Sequence, residues 1–185
     1  MSILIYAESA EGKIKKVALE LASYAKKVAA SMGTTVTAVT INNADNSALA
    51  ACGVDKVLTV TNDKLNNFSA KAYADVIVQA AKKEGTQIVL VSSSTNSLYL
   101  APLVAVALEA GYVSNVVALP ESTSPFQVKR TVFSNKAFNV TEIATPIKVL
   151  GIAKNSFGLV ESASTLAEES FAPSLNDADF GIKVE

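Results

Sequence analysis

Histidine is absent from the chain, and that absence excludes more chemistry than any other feature of its composition. Ser-His-Asp and Cys-His catalysis, histidine general-base chemistry and histidine-ligated metals are all ruled out. The single cysteine, Cys52, can form neither an internal disulfide nor a thiolate metal cluster; set in "ALAACGV", it reads as a small buried hydrophobe. Charge is also missing in any concentrated form. Sixteen basic and seventeen acidic residues leave a net charge of −1 with no Lys/Arg block, so nucleic acid is not an expected partner. No basic stretch precedes the apolar run in "MSILIYAE", and no run approaches the roughly 18 apolar residues that cross a bilayer. The expectation is a cytoplasmic chain with no membrane insertion. Both G-x-G-x-x-G and the P-loop pattern are absent as well, which removes the usual glycine-built dinucleotide and triphosphate sites.

What is present is a repeated strand–helix unit. Half of the 185 residues are hydrophobic and 18% are charged, enough for one domain with a full core and a tail. After a strand at 3–7, Ile14, Val17, Leu21, Val28 and Met32 recur at helical spacing with Ala18, Ala22, Ala25 and Ala29 between them. Gly33 ends this helix, and "TTVTAVTI" follows as a β-branched strand. Gly53, Gly85 and Gly111 are expected to repeat that punctuation before "CGVDKVLTV", "EGTQIVLVSS" and "AGYVSNVVALP". Tyr73, Val76, Ile77 and Ala80 stripe one of the intervening helices; Leu103, Val106, Ala107 and Ala110 stripe the next. Near-continuous apolar strands such as 88–91 imply burial on both faces, and helical crossovers imply parallel pairing. The predicted fold is α/β: an open, mostly parallel, doubly wound sheet with helices on both faces.

In such a sheet any ligand crevice lies beyond the carboxyl ends of the strands. Three loops are expected there: "ESAEGK" (8–13), "NNADNS" (42–47) and "SSSTNS" (92–97). The last leaves two readings open. Ser94, Thr95 and Asn96 could cradle a phosphate at a helix start, or the loop is a capped strand-to-helix turn with Asn96 or Ser97 as N-cap and Pro102 near the helix start. Lys13, Lys15 and Lys16 read as a solvated face. After Pro120 the helical stripe stops, and alternation around "SNK" predicts a hairpin of 126–132 and 137–143, followed by a strand in "IKVLGIA". Residues 155–185, acidic and serine-rich, read as a linker or tail outside a domain spanning 1–154, or as a segment that packs on something else.

The succession "ILIYAES…GKIKKVALELASYAKKVA", "CGVDKVLTV", "STNSLYLAPLVAVALEAGYVSNVVAL" and "VKRTVFSNKAFNVTE" resembles the amino-terminal domain of the electron transfer flavoprotein alpha subunit over about residues 2–142. The resemblance implies an adenine nucleotide alpha hydrolase-like fold. It implies an electron carrier rather than a catalyst, serving flavin dehydrogenases, with FAD held in a further domain whose S-R and G-Q-T-G motifs this chain lacks. The expectation is therefore an amino-terminal fragment ending near the linker to that domain. The resemblance further implies pairing with a beta subunit that carries AMP or a second FAD, and a degenerate nucleotide loop at Ser94, Thr95 and Asn96. Arg130, Phe133, Asn135 and Lys136 become candidates for the subunit or flavin-domain interface, Arg130 either as an anchor or as a plain surface residue. The chain departs from the family where Pro102-Leu103 replaces proline-arginine, where Phe133-Ser134-Asn135-Lys136 replaces tyrosine-alanine-glycine-asparagine, and where Asn115 replaces aspartate. The alternative is a stand-alone adenine-nucleotide module of universal-stress type, although serines stand where that class has glycines. A phosphoacceptor receiver is disfavoured because Glu8 has no acidic companion and Asp63 lies beyond its strand.

Overall fold

Strand β1 (Ser2–Tyr6) is buried along its length, and its side chains alternate between two cores. Ile3 and Ile5 enter one apolar cluster, Leu4 and Tyr6 the other. The computed structural model describes residues 2–180. After β1 come a short antiparallel ribbon of β2 (Ser9–Ala10) and β3 (Lys13–Ile14), then α1 (Lys16–Met32), β4 (Thr35–Ile41) and α2 (Ser47–Ala51). β5 (Lys56–Val60), α3 (Ala70–Glu84), β6 (Ile88–Ser92), α4 (Thr95–Ala107) and β7 (Gly111–Val116) follow. The chain continues through β8 (Ser122–Thr123), β9 (Phe126–Val132), β10 (Ala137–Glu142), β11 (Lys148–Ile152) and β12 (Ala167–Ser170). The sheet order is β10-β9-β7-β11-β6-β1-β4-β5-β12, with β8 paired to β9. From β7 to β12 all neighbours are parallel; the β9–β10 hairpin adds an antiparallel flank.

The alanine-rich stripe of α1 packs with Leu21 and Val28 over Ile3, Ile5 and Ala38, while α3 and α4 bring Val76, Ile77, Leu100 and Val104 over Leu4, Val39 and Val89. Helices therefore cover both faces, as the apolar strands predict, but α4 does so with Leu100, Ala101, Val104 and Ala105. Of the stripe expected on it, Leu103, Val106 and Ala107 face solvent and Ala110 lies past its end, because the strongly apolar helix offers no polar face from which its buried side could be read. A fully buried Leu or Ile contributes about 1.5–3 kcal/mol, against about 0–1 kcal/mol for an exposed ion pair, so these two layers and not the surface charges set the fold.

Gly33 and Gly85 cap α1 and α3 in the left-handed conformation, with φ of 62° and 59°. Gly111 does not repeat this role. Glu109 takes the left-handed turn after α4 (φ 51°), and Gly111 already lies in β7. Its requirement is space: a Cβ there would sit 2.5 Å from Ile143 Cγ2 and 2.8 Å from Thr145 Oγ1. Pro102 also falls elsewhere than expected, two turns inside α4. It forgoes the bond to the Leu98 carbonyl, and both residues lie on the solvent side of the helix.

Residues 155–180 correct the expected linker. Val160 exchanges hydrogen bonds with the Ser23 hydroxyl, and the amides of Ser162 and Ser164 donate to the Ala51 and Ala50 carbonyls. β12 then extends the sheet beside β5, and a 3-10 turn at Asp177–Phe180 packs at the start of α3 through Ser69 and Lys71. The composition hides this because the segment is held by backbone pairing and widely spaced apolar residues (Phe157, Leu166, Phe171, Leu175 and Phe180) rather than by a periodic stripe. Residues 181–185 of that expectation lie outside the described residues.

Glu169 of β12 bridges Lys56 and Lys83, each at 2.8 Å. Those two ammonium groups hold its carboxyl at about 2, below its ordinary value of 4.5. A depressed carboxyl stabilises the fold above the ordinary value and loses that contribution as pH falls toward the folded value. Acidification from 4.5 to about 2 is therefore expected to expose the β12 amides to hydrogen exchange before those of β1 and β6; simultaneous loss at all three strands would contradict the attribution. Gly111→Ala is expected to cost about 1–3 kcal/mol through overpacking against Ile143, as read by denaturant unfolding.

Candidate functional site

The carboxyl ends of β1, β4, β5, β6 and β11 lie at one end of the sheet, and the loops that leave them form the expected crevice. At the centre is Glu8, two residues beyond β1. The β2–β3 ribbon turns through Glu11 and Gly12, both at positive φ (52° and 71°), a geometry that matches strand twist in a two-residue hairpin. This turn brings Lys15 back so that its amide donates to the Glu8 carbonyl at 2.9 Å and its Nζ lies 3.4 Å from Glu8 Oε2. Lys13 and Lys16 remain exposed, as a solvated face predicts, while Lys15 does not.

The hydroxyl loop closes on the same carboxylate. Ser92 and Ser94 each donate to Glu8 Oε1 at 2.5 Å, and Ser97 donates to it at 3.1 Å. Ser94 is the N-cap of α4, its oxygen accepting from the Ser97 amide at 3.1 Å; the cap is therefore neither Asn96 nor Ser97. Hydrogen bonds to a charged group are worth about 1.5–3 kcal/mol each, the scale needed against the several kcal/mol that burying a carboxylate costs. Of the three loop candidates, Ser94 is committed to Glu8, Thr95 is exposed and Asn96 is half-buried. All three line an open cleft of about 220 Å³ together with Glu8, Lys15, Val17 and Lys154.

Most polar groups of the "NNADNS" loop are spent on the protein itself, within the loop and on β5 and the loop after it. Asn42, at φ 51°, donates to the Asn62 carbonyl and to Asn66 Oδ1 and accepts from the Asn62 amide, tying the β4 and β5 loops together. Asn43 donates to the Asp45 carbonyl and to Asn46 Oδ1.

The hairpin forms as predicted and separates its candidates. Phe133, Ser134 and Asn135 are all left-handed (φ 50°, 52° and 66°), and the Lys136 amide closes the turn on the Val132 and Phe133 carbonyls. Phe133 is 80% exposed and Phe138 64%, with Lys129 Nζ 4.6 Å above the Phe138 ring. Strand alternation puts Lys129 and Thr131 on one face, where they line a groove of about 560 Å³ with Asn135, Phe138 and Lys154. Arg130 takes the opposite face. It sits across from Val116, donates from Nη2 to Ser114 Oγ at 3.3 Å and lies beside Tyr112. Burial pushes the Tyr112 phenol up, and the Arg130 guanidinium and the bond to Ser114 partly offset that. Asn115 adopts φ 56° near the register shift of β7 against β11, a conformation that asparagine tolerates.

Glu8 as the centre of the crevice is what the sequence reading missed. Its signal was an acidic residue just past the first strand opposite serines at 92, 94 and 97, and only parallel pairing of β1 with β6 brings the two together. Among the described residues no cluster of acidic or sulfur side chains could hold a metal, and no helix is long and apolar enough to cross a membrane.

The electron transfer flavoprotein domain matches residues 3–175. The electron transfer flavoprotein subunit alpha of Thermoanaerobacterium thermosaccharolyticum is 33% identical over 120 residues, covering 63% of this chain and 36% of that protein. The corresponding Clostridium acetobutylicum subunit is 30% identical over the same shares. The probable mitochondrial electron transfer flavoprotein subunit alpha of Caenorhabditis elegans is 26% identical over 173 residues, 94% of this chain and 51% of that protein. The chain thus spans about a third to a half of the length of these relatives. With its doubly wound sheet and antiparallel hairpin flank, the chain belongs to the electron transfer flavoprotein family, as an alpha-subunit amino-terminal domain.

Proposed function

We propose that this chain is the part of an electron transfer flavoprotein alpha subunit that docks the beta subunit and supports a further domain holding FAD. The assembled heterodimer carries electrons from flavin dehydrogenases to an acceptor, and AMP or a second FAD belongs to the beta subunit. In this reading the domain is an electron-carrier component and not a catalyst, its Ser94-Thr95-Asn96 loop holds no nucleotide, and the tail leads toward the FAD domain. The match of residues 3–175 to the electron transfer flavoprotein domain carries the reading. The chain's own chemistry agrees with it: the hydroxyls that a nucleotide phosphate would need are engaged by Glu8. That engagement also counts against the universal-stress alternative.

The docking surface we infer is the outer part of the hairpin, with Phe133, Asn135 and Lys136 at its tip. An aromatic ring as exposed as Phe133 contributes little to the isolated fold and is well suited to anchor an interface. Arg130 acts differently: turned onto Ser114, it is a positioning residue that fixes the hairpin against β7.

In the complete complex, Phe133→Asp is expected to weaken beta-subunit binding by about tenfold or more, about 1.4 kcal/mol, with the melting temperature of the unbound subunit unchanged. Equal affinity of variant and parent in a titration would overturn the docking role. Arg130→Ala is expected to raise the Tyr112 phenol further, because a cation that favours phenolate has been removed. Arg130→Lys is expected to restore most of the parent value, and a tyrosine-resolved NMR titration reads both.

A further inference from the structure

The carboxyl end of a parallel sheet beside a helix N-terminus is where this architecture takes anionic groups. Here that position already holds an anion, one tethered to the chain. We propose that Glu8 fills an oxyanion seat made by Ser92, Ser94, Ser97 and Lys15, and that the emptied seat takes a free small oxyanion, formate or inorganic phosphate.

Three features carry the proposal. The donors come from separate places, the end of β6, the N-cap of α4, its first turn and the residue before α1, yet three of them converge on the single atom Glu8 Oε1. The carboxylate and its three hydroxyl donors are also sequestered, Glu8 4% exposed, Ser92 2%, Ser94 7% and Ser97 1%, while Lys15 stays partly open to water. Without the carboxylate these buried hydroxyls lose their shared acceptor, and a buried donor without an acceptor strongly favours whatever anion can reach it. Finally, the cleft of about 220 Å³ that Glu8, Lys15 and Lys154 line adjoins the seat, so a free anion has an entrance and a second cation along it.

In the parent chain the tether keeps the carboxylate at high effective concentration, which a dissolved anion cannot match. The crevice is thereby shut to phosphate, and what would be a ligand site instead joins the end of β1 to the start of α4.

The test uses Glu8→Ala, which empties the seat, and Glu8→Gln, which fills it without charge. Melting temperatures are compared in sodium formate, sodium phosphate and sodium chloride of equal ionic strength. Glu8→Ala is expected to melt below the parent in chloride and to recover saturably in formate or phosphate. Formate at ten times its dissociation constant shifts the folding equilibrium about elevenfold, several degrees for a chain of this size. Parent and Glu8→Gln are expected to show no saturable response to formate, and in phosphate only the non-saturating rise that this anion's exclusion from protein surfaces gives any fold. Identical melting of Glu8→Ala in all three salts would overturn the proposal, as would an equal formate effect on the parent. Should Glu8→Ala not fold in chloride, refolding yield becomes the readout: recovery in formate supports the seat, and no recovery in any of the salts overturns it.

Discussion

Burial of β1 on both faces is the constraint from which the rest of the structure follows. A strand whose neighbours β4 and β6 are both parallel to it needs a crossover for each pairing, and its alternating side chains need a helix layer above and another below. The two apolar clusters meet those needs, one built on Ile3 and Ile5 with α1, the other on Leu4 and Tyr6 with α3 and α4. Parallel pairing also sends the carboxyl ends of β1 and β6 to the same end of the sheet. There the first polar residue past β1 to be buried meets the serines past β6, and Glu8 is held.

Away from that centre the sheet is finished by weaker means. At one edge β12 is fastened by backbone pairing to β5 and by ion pairs of Glu169 with Lys56 and Lys83, contacts that are partly open to water. At the other, the β9–β10 hairpin hangs on β7 with Arg130 turned inward and its aromatic tip outward. Central strands thus owe their stability to burial and the edges to hydrogen bonds and charge. That division suits a domain whose edges are the surfaces we assign to a partner subunit and to the chain that follows.

The crevice is filled from within the chain. The helix N-terminus, the serines and the lysine are all in place, yet the anion they serve is the chain's own carboxylate. Asparagines in the neighbouring loops are likewise engaged with one another.

The strand–helix alternation, the parallel sheet, the two helix layers and the 126–143 hairpin were all legible from residues alone, because each rests on local periodicity and on burial that a strand's own composition reports. The residues "GVDKV" and "STNSLYLAPLVA" carried the family as well. What local pattern could not reach is whatever depends on two distant segments meeting. Glu8 and Ser92 are 84 positions apart and Glu169 and Lys56 more than a hundred, so neither pair leaves a mark in any short window. Gly111 carries the local pattern of a helix stop, and only Ile143 against it gives it a different role; the serine-rich tail carries the composition of a linker, and only the open edge of β5 makes part of it a strand. Sequence by itself determined the central strands and the helices that alternate with them; tertiary structure alone decided which face α4 buries, that the tail adds a strand, and which buried polar groups meet, because a hydrogen bond needs a partner in space and composition records only that a donor exists.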